Sequence, residues 1–182
     1  MRKRCTRYNL PGNAHELTFS CYKGRPFLSR NRTRSFLVEA LIRSKEKQQF
    51  DLWAYVFMPN HVHLLLWPRN DTYSVSDILQ AVKQSVARRA LAYLRQHNVE
   101  GLAYLQTGQK HRPYRFWQGG GGYDRNITET ETLALTVDYI HRNPVRRGLV
   151  ETPEEWEWSS YGAWHGSESC PVPVDLDSFP SS

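Results

Sequence analysis

Residues 50–68, "FDLWAYVFMPNHVHLLLWP", constrain the fold most. Two runs rich in β-formers, 50–58 and 61–68, are separated only by the turn-forming pair Pro59 and Asn60. They are predicted to fold back on one another as an antiparallel hairpin. Side chains on a strand alternate between faces, so Val62, Leu64 and Leu66 share one face and can enter a core. His61 and His63 share the other face, with Cα atoms roughly 6.5–7 Å apart. Two imidazoles at that spacing can converge on one metal ion. The same pattern also occurs on exposed sheet faces with no role, so the pair alone does not define a site.

The other elements follow from periodicity. "HELTFSCY" (15–22) alternates and reads as the first strand. Residues 33–48 place Phe36, Leu37, Ala40 and Leu41 at helical spacing. Residues 75–97 form a long amphipathic helix with Ser76 as the expected N-cap and a stripe of Ile78, Leu79, Val82, Val86, Ala90 and Leu94. "PYRFWQ" (113–118) is a candidate short strand, and Gly119 to Gly122 imply a mobile or tightly turned loop. Residues 128–143 read as a helix with acidic first turns that Pro144 stops. The order β-α-β-β-α-β-α indicates an α+β fold with helices packed on one face of an antiparallel sheet, as in ferredoxin-like or RRM-like folds. One domain is expected over residues 1–165, followed by a Ser/Pro-rich flexible tail, 166–182.

A chain of 182 residues can bury a core without staples. The net charge of +6 favours a polyanionic partner, although basic balance alone is weak support. Three widely spaced cysteines, Cys5, Cys21 and Cys170, include no C-x-x-C pair, which argues against a zinc knuckle or a disulfide framework. The basic start has no apolar run behind it, and no apolar run is long enough to span a bilayer. The expectation is a soluble cytoplasmic protein with no membrane partner.

A second motif, "DYIHRNPVRRGLV" (138–150), supplies company for the histidines. Leu133, Val137 and Ile140 form the buried stripe of its helix, which leaves Tyr139 and Asn143, four apart, on another face. Because Asn143 precedes Pro144, it is expected at a helix end with non-helical backbone. Tyrosine can attack phosphorus, but a free phenol titrates at about 10 and needs a cation or base beside it. A metal held by two histidines and an amide oxygen could polarise the phosphate. The plainer alternative is that Tyr139 packs at a helix edge and Asn143 caps. Around these motifs, Arg112, Arg115, Arg142, Arg146 and Arg147 interleave with Tyr114, Phe116 and Trp117, a pattern suited to phosphates and unpaired bases or, equally, to a solvated basic face over core aromatics. Lys83, Arg88 and Arg89 lie mostly off the apolar stripe of the long helix.

Taken in order, "MPNHVHLLL", "FWQ…YDRNI" (116–127), "YIHRNPVRRGLV" (139–150) and "WEWSSY" (156–161) resemble the REP-associated tyrosine transposases. These are relatives of the single-strand insertion-sequence transposases within the HUH (His-hydrophobic-His) endonucleases. The resemblance spans about residues 15 to 161. It implies a ferredoxin-like, Mg²⁺- or Mn²⁺-dependent nuclease on single-stranded DNA, with His61, His63 and Asn143 as metal ligands and Tyr139 as nucleophile. The tyrosine would join the 5′ end and release a 3′-OH, so that strand transfer can follow. The expected substrate is a palindromic extragenic repeat folded as a hairpin, and the protein would be nucleoid-associated when bound. By their spacing, Lys83, Arg88 and Arg89 could follow the DNA backbone. A monomer is favoured over a dimer. Gly119 to Gly122 depart from the bulkier residues expected there. Tyr123 is read as structural and Tyr161 as packing.

The competing reading is a noncatalytic, domesticated nucleic-acid binder of RRM-like fold. It accounts for fold, charge and aromatics, but not for His61, His63, Tyr139 and Asn143 together. The absence of H-E-x-x-H excludes a zincin.

Overall fold

The computed structural model describes residues 6–167 and 170–180. Cys5 and the basic start before it lie outside the described residues, as do 168–169 and 181–182 of the tail. Cys21 and Cys170 are free.

The hairpin forms as its sequence demands. β2 (Phe50–Phe57) and β3 (His61–Pro68) are antiparallel, and Met58 N–H closes the turn on His61 O at 2.9 Å. β1 (Ala14–Ser20) pairs with the other side of β3, and β4 (Tyr123–Ile127) pairs with β1. The sheet order is β2-β3-β1-β4. Helices α1 (Asn31–Gln48) and α2 (Val75–His97) make the two crossovers and pack together on one face. The result is the expected α+β, ferredoxin-like sheet, but its helices are not confined to one face as the sequence suggested.

Alternation sorts the sheet into two cores. Leu17, Phe19, Val62, Leu64 and Leu66 are fully or almost fully buried beneath α1 and α2. Each such side chain contributes about 1.5–3 kcal/mol through burial. The opposite face carries Ala14, Ala54, Val56 and Leu65, and α3 (Thr130–Arg146) packs there through Leu133, Val137 and Ile140. Placing α3 on the second face is what brings its tyrosine toward the histidine side of β3.

Four local expectations give way. The fourth strand is Tyr123–Ile127, not 113–118. Residues 116–118 form only a single bridge beyond the end of β1, Tyr22 N–H donating to Phe116 O and Gln118 N–H to Ser20 O, both at 2.8 Å, while the Phe116 and Trp117 rings are buried against Phe27 and Phe19. Helix α2 is capped by Ser74, whose hydroxyl accepts from Asp77 N–H at 3.2 Å, while Ser76 lies inside the first turn. Pro144 does not stop α3. It sits in the last turn, where a missing N–H forfeits one bond, and Asn143 is helical with its carbonyl accepting from Arg147 N–H at 3.1 Å. Finally, residues 170–180 are docked instead of frayed: Val172 is fully buried and its N–H donates to the Tyr55 hydroxyl at 2.9 Å. Asp175 Oδ2 accepts from Leu52 N–H at 2.8 Å, and the Phe179 ring meets the rings of Trp53 and Trp164. Two apolar anchors outweigh the Ser/Pro composition of that segment.

The free edge of β2 is also covered. Phe57 N–H donates to Trp158 O and Ser160 N–H to Tyr55 O, so the "WEWSSY" stretch lies along the edge and blunts it. Tyr161 packs as expected, its ring against His141 and His165 and its hydroxyl on Glu154.

Candidate active site

β3 delivers both histidines to the α3 face. His61 pairs with Ser20 and His63 with Thr18 across the β1–β3 ladder. The two imidazole centroids are 4.9 Å apart, closer than their Cα spacing because the rings lean together. The Tyr139 ring meets His63 edge-on, with centroids 5.7 Å apart and planes at 87°. His61, His63, Tyr139 and Arg147 line one open cleft of about 610 Å³, together with Thr18, Ser20 and the turn around Asn60.

The hydrogen-bond partners of the histidines orient them. Asn60 Nδ2 donates to Gly24 O at 3.2 Å, which turns its Oδ1 toward His61 Nδ1 at 2.6 Å. His61 therefore carries its proton on Nδ1, and its Nε2 lone pair is uncommitted by that contact. His63 Nδ1 is 2.9 Å from Thr18 Oγ1, a hydroxyl able to donate or accept. Burial pushes His61 down to about 4, with help from the Arg147 charge. Burial, then His61, then Arg147 push His63 down to about 3. Both imidazoles are neutral at pH 7, the form that binds a metal.

The pair thus fits a divalent ion through two nitrogens, each fixed by a partner on its other nitrogen. Among the described residues no group of three His, Cys, Asp or Glu side chains could hold a metal. Any further protein ligand must be an amide, a hydroxyl or a carbonyl. Asn143 lies one turn beyond Tyr139, buried, with its Nδ2 donating to Tyr139 O at 2.9 Å. That bond leaves Oδ1 as the amide atom a cation would use. Asn143 is not among the residues lining the cleft.

A family model described as Transposase IS200 like matches residues 14–143, from the start of β1 to Asn143. The chain belongs to this transposase family. A REP-associated tyrosine transposase of Haemophilus influenzae is 32% identical over 140 residues, 72% of this chain and 74% of that one. Another, from Escherichia coli K12, is 27% identical over 127 residues, covering 69% of this chain and 62% of its own length. The solved structure of a REP-associated tyrosine transposase bound to a REP hairpin superposes with a TM-score of 0.69 at 20% identity, over 99% of this chain and 98% of that one. At that identity the match speaks for the fold. The curated relatives place this IS200-like transposase on the REP-associated branch.

The basic residues expected to meet DNA fall into four places on the transposase. Arg147 lines the cleft and the Arg146 guanidinium lies over the Tyr139 ring, 5.0 Å from its centroid. Lys83, Arg112 and Arg115 converge with Arg7 on a separate groove of about 490 Å³ along α2, bounded by Gly119 to Gly121. Arg7 donates to Gly121 O and so holds that glycine loop. Arg88 is exposed on α2. Arg89 is held by two bonds to Glu39, at 2.7 and 2.9 Å, and Arg142 by one to Asp138 at 2.7 Å. Both ion pairs compete with phosphate. Tyr123 is half exposed on the edge strand β4, beside Thr18 in the ladder but outside the cleft lining.

The sequence reading missed Thr18 and Asn60 as partners of the histidines. Asn60 was adjacent to the motif and readable as a polar turn residue. Thr18 is 45 residues from His63, and only the β1–β3 register reveals it. No helix among the described residues is long and apolar enough to cross a membrane.

Proposed function

We propose that this transposase is a metal-dependent single-stranded DNA endonuclease and strand transferase acting on palindromic hairpin repeats. One observation carries the reading: a single chain places the Tyr139 phenol, both histidines and Arg147 in one cleft. That Tyr139, both histidines and Arg147 come from one chain also favours a monomer. The hairpin substrate comes from the relative solved with a REP hairpin.

In this reading Tyr139 Oη attacks the scissile phosphorus, the P–O3′ bond breaks, and the departing oxygen takes up a proton as a 3′-OH. The tyrosine keeps the 5′ phosphate as a phosphodiester, and a later 3′-OH reverses the step on another end. His61 and His63 would hold Mg²⁺ or Mn²⁺, and Asn143 Oδ1 would be the third ligand. When bound, the ion supplies Lewis-acid polarisation of the phosphate. Two imidazole nitrogens suit a transition ion better than Mg²⁺, so Mn²⁺ should support the faster reaction. Arg147 faces the phosphate with a fixed charge, and Arg146 holds the phenol ring by cation–π contact.

Covalent trapping tests the reading. The protein is incubated with labelled hairpin DNA bearing a single-stranded flank, with Mn²⁺ or chelator, and run on a denaturing gel. A metal-dependent adduct absent in Tyr139→Phe is the expected result. Tight hairpin binding with no adduct would establish the noncatalytic binder instead. An adduct that survives the substitution would move the nucleophile elsewhere, with Tyr123 next to test.

A further inference from the structure

A second cleft is larger than the one that holds the histidines. It is a groove of about 1000 Å³ between the start of α1, the end of α2 and the 3-10 segment Val99–Leu105. Its walls include Arg25, Arg30, Arg32, Tyr93, His97 and Tyr104. Among the described residues no carboxylate lines it. Two of its arginines already lie over its tyrosines: Arg32 over Tyr93 at 3.9 Å and Arg25 over Tyr104 at 5.4 Å. Arg25 also donates to Tyr104 O, which ties the loop after β1 to the 3-10 segment. Tyr104 is 61% exposed, a large aromatic face left in water on a strongly basic wall.

The Arg25 bond to Tyr104 O has a structural role, but it leaves the exposed Tyr104 ring and the cations around it open to a ligand. A solvated basic face would scatter its cations and bury its rings, whereas here Tyr104 stands out in water beside Arg25, and the half-buried Tyr93 is packed between the Arg32 guanidinium and the His97 ring, 4.6 Å away. Guanidinium–arene pairs beside uncompensated positive charge suit a chain that alternates flat π-faces with phosphates. Double-helical DNA keeps its base faces stacked on one another and cannot use such a surface. An unpaired strand can.

The groove also borders the active-site cleft. Pro26 lines both, and the neighbours Gly24 and Arg25 face one cleft each. A strand leaving the scissile phosphate over the Gly24–Phe27 turn would enter it directly. We infer that the groove is a binding track for unpaired nucleotides of the DNA flanking the scissile phosphate, with a base stacking on Tyr104 and phosphates meeting Arg25, Arg30 and Arg32. Its place beside the scissile phosphate rests on the proposed function, and its affinity for single strands does not.

The test uses the full chain carrying Tyr139→Phe, without divalent metal, so that cleavage cannot interfere. Fluorescein-labelled (dT)₁₂ is titrated by anisotropy at low salt. Tyr104→Ala is expected to weaken binding about tenfold, Tyr104→Phe to keep it, and Arg32→Ala to weaken it and flatten the salt dependence by about one counterion. The exposed position of Tyr104 makes misfolding an unlikely confounder, and the retained affinity of Tyr104→Phe separates the ring from the fold. Unchanged binding in both alanine variants overturns the inference. So does an equal loss for a blunt duplex of the same length, which would make the groove a general polyanion surface. Loss of (dT)₁₂ binding in Tyr104→Ala, with no covalent adduct at Tyr139 in the trapping assay, would keep the track and reject the catalytic reading. The converse pair of results would do the reverse.

Discussion

Thr18 and His63 face each other across the β1–β3 ladder, and their side chains are hydrogen-bonded at 2.9 Å. The bond sets which way the His63 ring points and which nitrogen it offers. Thr18→Val keeps the shape and removes the hydroxyl. A partner of this kind is worth about ten- to a hundredfold in metal affinity or activity. The expected result is that loss in adduct formation, with the Mn²⁺ requirement moved to higher concentration. The unfolding midpoint in urea should shift by no more than about 1 kcal/mol equivalent. Wild-type adduct yield at limiting Mn²⁺ would show that Thr18 orients nothing.

Arg147 is the cation shared by the histidines and the cleft. Its charge opposes a metal ion but favours a phosphate, and the phosphate is the larger prize because it carries the developing charge. Arg147→Ala should therefore lower the single-turnover rate by about a hundredfold, as removal of a charge-stabilising donor typically does. Hairpin affinity should fall much less, with the slope of log K against log salt reduced by about one. Metal affinity measured without DNA should rise. If it falls, Arg147 supports the metal site and not the phosphate.

Much of this was legible in the residues. The hairpin, the long helices and the pairing of His61 with His63 follow from periods of 2 and 3.6, which are local properties. Tyr139 on the non-core side of its helix followed from Leu133, Val137 and Ile140. What escaped was set by distant partners. β4 is five residues, mostly polar, and becomes a strand because β1 offers it a ladder from Ala14 to Thr18. Phe116 and Trp117 looked strand-like but serve as core rings. Residues 170–180 looked like a frayed end until Tyr55, Leu52 and Trp53 were in place to receive them. Pro144 was overread as a terminator because a proline in the last turn costs only one hydrogen bond. The Arg89–Glu39 pair, 50 residues apart, sets a carboxylate against a DNA-contact candidate that helix spacing alone favoured.

His141 makes the edge cover of β2 sensitive to acid. It is buried, and its Nε2 is 2.8 Å from Ser160 Oγ, the hydroxyl that also accepts from Tyr55 N–H. Burial, reinforced by His165 and opposed by Asp138, pushes its titration down to about 4. Because the folded value is depressed below the unfolded one of about 6.5, the contribution is present above pH 6.5 and is lost as pH falls toward 4. The full span corresponds to on the order of 3 kcal/mol. His141→Gln should cost about 1 kcal/mol at pH 7.5 through a poorer bond to Ser160. That deficit should shrink and then invert by pH 4.5. Urea midpoints of both proteins across pH 4.5–7.5 would check this, and parallel curves would mean that His141 is not the titrating group.

Gly122 explains why the glycine run ends where it does. Its φ is +71°, a region L side chains rarely adopt, and a Cβ there would collide with the carbonyl oxygen of Thr18. Gly120 also has positive φ, +106°, but its Cβ direction is open. The two positions separate backbone conformation from close approach. Gly120→Ala carries only the conformational cost, about 1 kcal/mol or slightly more. Gly122→Ala must in addition push β1 and the start of β4 apart at Thr18, the residue that orients His63. It should cost about 2–3 kcal/mol, a drop in Tm of about 5–10 °C for a chain of this size. It should also reduce adduct formation beyond what the stability loss explains, because Thr18 is displaced while the protein is still folded. Adduct yield measured well below the Tm separates the two effects. If Gly122→Ala is as mild as Gly120→Ala in both readouts, the close approach to Thr18 is not what selects glycine there.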